Sequence, residues 1–315
     1  MKSNVAVLDD YQHAALKMAD WTNVLSRADV AVFDDHLADP DAVIRRLRPF
    51  DALCVMRERT PLAGGILRAL PKLKLIVSTG PRNASIDTAA ADELGITVKN
   101  TGYSSNPTIE FTWALILALA RHLVDEANGM RNGRWQQHVG MGLSGKVLGV
   151  VGLGHVGGAV ARVATAFGMR VVAWSQNMTT EIAKAAGAEF VSKDELFKQA
   201  DIVTLHVILS ARTEGLVGQA ELQAMKPTAL LVNASRGPVV DETALIEALT
   251  SKSIAGAAID VFDEEPLPTD HPFRRLENVL ATPHVGFVAD DQYHSFYGDT
   301  VSALESWLDQ RVAAD

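Results

Sequence analysis

The stretch Val147-Leu-Gly-Val-Val-Gly-Leu-Gly-His-Val-Gly157 constrains the fold more than any other part of the chain. An apolar run breaks into glycines and then resumes with helical spacing, which reads as strand, phosphate loop and helix. Gly152 would make the tight turn off the strand, Gly154 would let the backbone approach a pyrophosphate, and Gly157 would let the helix pack close to the strand. The free amides at that helix N-terminus, with the positive end of its dipole, supply the attraction for phosphate. The glycines alone decide little, because the chain holds 23 of them in 315 residues. A plain strand-to-helix turn in a doubly wound sheet is the competing reading. Context favours the dinucleotide site: a strand over 147–151 precedes the motif, and a helix over 156–167, with apolar Val160, Val163, Ala164 and Phe167, follows it.

The rest of the chain supplies two sheets. A length of 315 residues exceeds one ordinary core and suggests two domains. Short β-rich runs at 5–8, 30–33, 52–55, 75–78 and 96–98 alternate with helical segments, the pattern of a parallel α/β layer. A second series begins near Gly145, with strands at 147–151, 170–174, 188–191, 201–205, 229–232, 255–260 and 278–280, and helix periodicity between them, for instance over 242–249. Residues 289–312 read as one terminal helix whose apolar face (Phe296, Val301, Leu304, Trp307, Leu308) is expected to dock on the first domain. The expected fold class is α/β: two doubly wound parallel-sheet domains, Rossmann-like and flavodoxin-like, the first discontinuous. Residues 1–100 plus 289–315 would form the substrate domain and 101–288 the dinucleotide-binding domain. The latter opens with a polar loop over 101–108 and a long apolar helix running to about 129–135, with Pro107 in its first turn. A helix apolar on several faces is buried between domains or pairs with a second subunit.

Charge and cysteine content narrow the partners. The net charge of −9 is spread without long blocks, which argues against nucleic acid or an anionic membrane surface as a partner. An anionic substrate must then find locally placed arginines. The single cysteine, Cys54, lies in the apolar run 52–56 and reads as core rather than nucleophile. It excludes an intrachain disulfide framework and fits a reducing compartment. The first residues enter a strand-like run with no signal-peptide pattern, and the apolar segment 111–120 is too short to cross a bilayer before Arg121 and His122, so a cytoplasmic protein is expected.

Candidate chemistry sits at predicted strand ends, where ligands collect in such sheets. The strand over 170–174 ends in Ser175-Gln176-Asn177, where an acidic residue would normally take the adenosine ribose hydroxyls of NAD. A neutral tip removes repulsion against a 2′-phosphate, yet no arginine follows to neutralise it. The cofactor is read as NAD or NADP, leaning narrowly to NADP. In the first domain, Arg57 and Arg59 follow one strand and Thr79-Gly80 another. The arginines are either solvated surface cations or, with Thr79-Gly80 amides beside them, part of a carboxylate site. Three later strands run into Leu231-Val-Asn-Ala-Ser-Arg-Gly-Pro238, Ala258-Ile-Asp-Val-Phe-Asp-Glu-Glu-Pro-Leu-Pro268 and Ala281-Thr-Pro-His-Val-Gly286. Singly, Arg236 reads as a loop charge, Glu265 as a turn acid and His284 as a structural histidine. Together they make an arginine, a carboxylate and a histidine at one edge of one sheet. That set suits hydride transfer to a 2-oxo acid: the arginine polarises the carbonyl, the histidine supplies the proton, and a glutamate beside the histidine favours its charged form.

These motifs, Gly152-Leu-Gly-His-Val-Gly157, Val232-Asn-Ala-Ser-Arg-Gly237, Asp260-Val-Phe-Asp-Glu-Glu-Pro266 and Thr282-Pro-His-Val-Gly286, occur in an order that resembles the D-isomer-specific 2-hydroxyacid dehydrogenase family, over nearly the whole chain. The resemblance implies that Arg236 binds and polarises substrate, that Glu265 tunes the histidine and that His284 is the acid/base. It also implies a homodimer built on the helix after Thr108, and a substrate carboxylate bound by the amides of Thr79 and Gly80 with Arg57. The expected cofactor contacts are Thr108, Gly152, Gly154, His155, Val156, Gly157, Ser175, Gln176, Asn177, His206, Asn233, Ala234 and Asp260, and no metal ligand is expected. Two departures stand out. The loop Ser78-Thr-Gly-Pro-Arg-Asn-Ala-Ser-Ile-Asp87 replaces the usual Gly-x-Gly followed by Asp-Asn, and Gly286-Phe287 replaces Gly-Gly, which either favours a substrate with apolar bulk or serves hinge packing. A formate-type dehydrogenase on the same fold would pair its histidine with glutamine, so Glu265 argues against it. A dinucleotide-sensing corepressor can keep the same triad, but the absence of basic tails argues against that binding module.

Overall fold

The structure is a computed structural model that describes residues 2–314, with side chains for residues 2–311. Runs such as Ala52-Leu-Cys-Val55 and Leu75-Ile-Val-Ser78 are buried on every residue. Successive strand side chains point to opposite faces, so such runs belong to sheets covered on both sides, as parallel sheets are. The chain divides into two compact units, Met1–Ser104 with Val288–Asp315, and Ser105–Phe287.

In the first unit, β1 (Ser3–Val7), β2 (Ala28–Val32), β3 (Ala52–Val55), β4 (Leu75–Ser78) and β5 (Thr97–Asn100) form a five-stranded sheet in the order β2-β1-β3-β4-β5. Every pairing in it is parallel. The terminal helix Asp290–Ala314 packs on this unit, against β4 and the helix Thr22–Arg27. Phe296, Tyr297 and Leu304 are buried on its inner face, and the Arg27–Asp309 ion pair at 2.8 Å ties it from outside.

The second unit holds β6 (Val147–Val151), β7 (Arg170–Trp174), β8 (Glu189–Phe190), β9 (Ile202–Leu205), β10 (Leu230–Asn233), β11 (Gly256–Ile259) and β12 (Val279–Ala281). They form one seven-stranded sheet ordered β12-β11-β10-β9-β6-β7-β8, parallel throughout. Strand order reverses between β6 and β9, so the crevice beyond the end of β6 is where ligands bind in such sheets. The glycine motif lies at that point.

One expected element is corrected. The long helix after residue 105 is two helices, Asn106–Ala120 and Leu123–Arg131. Ala120 is the last buried residue of the first, and its carbonyl accepts from Met141 N at 2.7 Å instead of only continuing the helical ladder. His122 then takes a left-handed conformation at φ 50°, which ends the helix direction. Among the described residues no helix is long and apolar enough to cross a membrane.

Candidate active site

The glycine loop is shaped by close approaches. Gly152 has φ 92°, and a Cβ there would stand 2.6 Å from the His206 carbonyl oxygen. A Cβ on Gly157 would overlap the Gly152 carbonyl. A Cβ on Gly154 would meet no atom within 4 Å, which leaves open space over the start of the helix His155–Ala166. That helix has no side-chain cap at its N-terminus, so its first amides are available to phosphate. The cradle fits the pyrophosphate of a dinucleotide on these grounds. His155 is exposed at the first helical position, with Val156 half-buried beside it, and Thr108 is half-buried in the first turn of Asn106–Ala120. At the end of β7, Ser175 is half-buried while Gln176 and Asn177 are exposed, and no carboxylate stands at this tip. His206, just past β9, meets the Thr204 hydroxyl at 2.9 Å. Part of the residue still reaches solvent, but enclosure of the ring lowers its pKa to about 4.

Three loops at the ends of β10, β11 and β12 carry Arg236, Glu265 and His284, and the fold brings them to one edge of one sheet. Asn233 organises the first loop: its amide donates to Arg236 O at 2.9 Å and its Oδ1 accepts from Ser235 N at 3.0 Å. Ala234 is half-buried behind it. Gly237 sits against the Phe262 backbone so closely that a Cβ would overlap it. The Phe262 amide in turn donates to Glu265 Oε1 at 2.9 Å. The other oxygen, Oε2, lies 2.5 Å from His284 Nδ1. Burial pushes the Glu265 carboxyl up, but the hydrogen bond and charge of His284, the Phe262 amide and the Arg236 charge outweigh it and hold the group below its ordinary value. Because Nδ1 faces Glu265, Nε2 is the atom of His284 left to exchange a proton with a substrate.

Asp260 holds this arrangement in place. It is 1% exposed, and its Oδ1 accepts from Thr282 Oγ1 at 2.7 Å and Val285 N at 2.9 Å while Oδ2 accepts from Gly286 N at 2.7 Å. Burial raises its pKa despite these three bonds. A Cβ at Gly286 would stand 2.9 Å from the same carboxylate. The loop is thereby pinned with His284 at φ 52°, a conformation costly for a non-glycine residue. Phe287 packs edge-on to the imidazole, with centroids 5.6 Å apart at 85°. Sequence reasoning placed Asp260 among cofactor contacts and missed this role. The sequence signal was available, since an acid ending a fully apolar strand has to be neutralised by donors.

In the first unit, Arg57 follows β3 and has φ 52°. Its amide donates to Thr79 Oγ1 at 2.9 Å and its carbonyl accepts from Asn83 Nδ2 at 2.5 Å. The expectation that Thr79 and Gly80 offer free amides is corrected by the hydrogen bonds: Thr79 N donates to Val55 O at 3.1 Å and Gly80 N to Thr101 Oγ1 at 2.8 Å. The first extends the β3–β4 pairing, and the second is capped by the hydroxyl that follows β5. The donor with spare capacity is the Arg57 guanidinium, whose buried Nη1 has no hydrogen-bond partner among the described residues. It lies over Gly80, where any Cβ would overlap it, and the guanidinium faces the Tyr103 ring at 5.3 Å. Arg59 serves the scaffold, donating to Asp9 O at 2.9 Å and stacking on Tyr11 at 4.6 Å.

A dinucleotide cradle together with an acid–histidine pair and an arginine defines a nicotinamide-dependent oxidoreductase. Comparison with known proteins makes the class specific. Residues 113–286 match the family model "D-isomer specific 2-hydroxyacid dehydrogenase, NAD binding domain". The chain is 39% identical over 268 residues to the glyoxylate reductase of Aeropyrum pernix, covering 81% of this chain and 79% of that protein. Its structure is similar to a phosphoglycerate oxidoreductase from Vibrio cholerae (TM-score 0.91, 36% identity, 99% of both chains). It is also similar to the D-lactate dehydrogenase of Aquifex aeolicus complexed with NAD and lactic acid (TM-score 0.77, 25% identity, 98% of this chain and 97% of that one). The protein belongs to the D-isomer specific 2-hydroxyacid dehydrogenase family and is an NAD(P)-dependent oxidoreductase of 2-hydroxy acids.

Proposed function

We propose that this enzyme reduces a small 2-oxo acid of the glyoxylate or hydroxypyruvate class to the D-2-hydroxy acid, with His284 as the proton donor. The observation that carries the reading is the 2.5 Å pair between Glu265 Oε2 and His284 Nδ1, set on a loop that Asp260 pins. A nicotinamide cofactor, held by the Gly152–Gly157 loop, would supply the hydride chemistry. His284 Nε2 gives its proton to the carbonyl oxygen as negative charge grows there, and Glu265 stabilises the imidazolium that does so. Arg236 polarises the same carbonyl, and Arg57 binds the carboxylate through its unpartnered Nη1. Thr79 and Gly80 act on the substrate indirectly: the first fixes the Arg57 backbone, and the second leaves room for its guanidinium. In the reverse direction neutral His284 accepts the alcohol proton. The glyoxylate reductases among the relatives support the substrate class.

The neutral tip Ser175-Gln176-Asn177 supports use of NADPH at least as readily as NADH. Met130, Trp135 and Val139 are exposed on one stretch of the second unit, which supports pairing with a second copy there. A lone, buried Cys54 suits a cytoplasmic setting. The experiment is direct: NADH or NADPH is consumed when purified protein is given glyoxylate, hydroxypyruvate, pyruvate or phenylpyruvate. No turnover across the panel, with cofactor binding intact, would overturn the substrate reading. A preference for NADH above about tenfold, roughly 1.4 kcal/mol, would overturn the cofactor reading.

A further inference from the structure

Away from the catalytic loops, the break between the helices Asn106–Ala120 and Leu123–Arg131 gathers metal-ligating side chains that the dehydrogenase chemistry does not use. His122 occupies the break itself at φ 50°. Asp125 lies one turn on, its Oδ2 3.9 Å from His122 Nδ1. Glu126 reaches across to the segment after the second helix: its Oε1 accepts from Gln137 N at 2.9 Å and His138 N at 2.7 Å. That grip folds the segment back and stacks the His138 ring on the His122 ring, with centroids 4.7 Å apart and planes 19° apart. One ligand atom each from His122, Asp125 and His138 then lie within 4.8 Å of one another.

A surface cluster held only by ion pairs would gain little from this geometry, because exposed pairs contribute about 0–1 kcal/mol. The chemistry of the donors is more selective. Two imidazoles and a carboxylate form a borderline donor set that suits Zn2+, Co2+ or Ni2+, whereas Mg2+ and Ca2+ take oxygen ligands. Metal–nitrogen bonds of roughly 2.0–2.1 Å require the ligand atoms to draw closer than they stand. Exposed side chains change rotamer readily, which lets the three ligand atoms approach one ion. Glu126 already meets His138 Nδ1 at 3.0 Å, the carboxylate–histidine pairing that orients a metal-bound imidazole and leaves its Nε2 for the ion. In a single chain these side chains face solvent, His122 and His138 each being 39% exposed and Asp125 53%.

We propose that His122, Asp125 and His138 bind one borderline divalent transition-metal cation, with solvent in the fourth position, and that the ion clips the segment over 132–145 to the helix Leu123–Arg131. The site is structural and independent of hydride transfer. Full-length protein, stripped with chelator and dialysed, is titrated with Co2+ and then with Zn2+. The expected result is saturable visible absorption from low-coordinate Co2+ at one ion per chain, displaced by Zn2+, with a thermal midpoint that rises as Zn2+ is added. His122→Gln and His138→Gln each weaken Co2+ binding at least tenfold, and the control His13→Gln leaves it unchanged. Circular dichroism and cofactor binding check that the variants fold. Should they not fold, Zn2+ titration of the wild-type histidine proton resonances decides the matter: two imidazoles shift together if the site exists. No saturable Co2+ signal, or undiminished binding in the folded double variant, overturns the proposal.

Discussion

The edges of the two sheets place a non-glycine residue in the same strained conformation and use it differently. Arg57 at the end of β3 and His284 beyond β12 both have φ 52°. Each is held there by side chains that bond the loop backbone: Thr79 and Asn83 for Arg57, Asp260 for His284. At the seven-stranded edge the ionisable groups answer one another, Glu265 facing His284 and Arg236 adding charge nearby. At the five-stranded edge the Thr79 and Gly80 amides are paired, and Arg57 Nη1 has no hydrogen-bond partner among the described residues. A proton donor needs a neighbour that stabilises its charge, whereas an anion receptor needs a donor not yet used. On the proposed function, the same backbone device serves proton transfer in one unit and carboxylate capture in the other.

The sharpest way to break that division is His284→Ala. It should lower kcat for 2-oxo acid reduction about 10²- to 10⁴-fold, roughly 3–5 kcal/mol, while cofactor affinity, read by fluorescence, stays unchanged. An unchanged rate would remove proton transfer from the seven-stranded edge. Next in size, Arg57→Gln should raise KM for the 2-oxo acid about 10- to 100-fold, the value of one charged hydrogen bond, with kcat held within a few-fold. Arg57→Lys should recover part of the loss, and a fall in kcat at constant KM would contradict an anion-holding role. Glu265→Gln should cost about tenfold in kcat with KM for the 2-oxo acid held within a few-fold, since the charge facing the imidazolium is gone. An unchanged kcat would leave Glu265 as a loop anchor only.

The smallest effect concerns stability. His206 has its pKa lowered to about 4, below that of an unfolded histidine, so between these values the unfolded chain binds a proton that the native state refuses. Stability is complete above about pH 6.5 and falls as pH drops toward 4. His206→Gln should remove several degrees of the acid-side loss in thermal midpoint, measured between pH 7 and 4.5. Equal losses in wild type and variant would place the acid sensitivity elsewhere, for instance in the Glu265–His284 pair. Glu265, held below its ordinary value, contributes stability that is present at neutral pH and lost as pH falls through its native pKa.

Much of this was legible along the chain. Most strands coincide with an apolar run, because a parallel strand covered on both faces must be apolar throughout, while β5 and β8 at the sheet edges are largely exposed. The glycine loop was legible because Gly152 and Gly157 admit no side chain against neighbouring carbonyls. The helix break at Arg121-His122 was not, since the Ala120 carbonyl is claimed by Met141, a partner 21 residues away that periodicity does not register. For the same reason the amides of Thr79 and Gly80 looked available in sequence, while strand pairing and the Thr101 hydroxyl had taken them.

The sequence by itself determined the classes of contact: two parallel sheets, a dinucleotide loop, and an arginine, a glutamate and a histidine on successive strand ends. These follow from local rules, hydrophobic period, glycine sterics and the edge at which parallel strands finish. Only the tertiary structure decided what each polar group faces. Whether Asp260 holds a loop, whether Arg57 keeps a donor unused and whether His122 meets His138 all depend on distances between residues remote in sequence. Hydrogen bonds and charges act over a few ångströms in space, and the folded chain alone sets those separations.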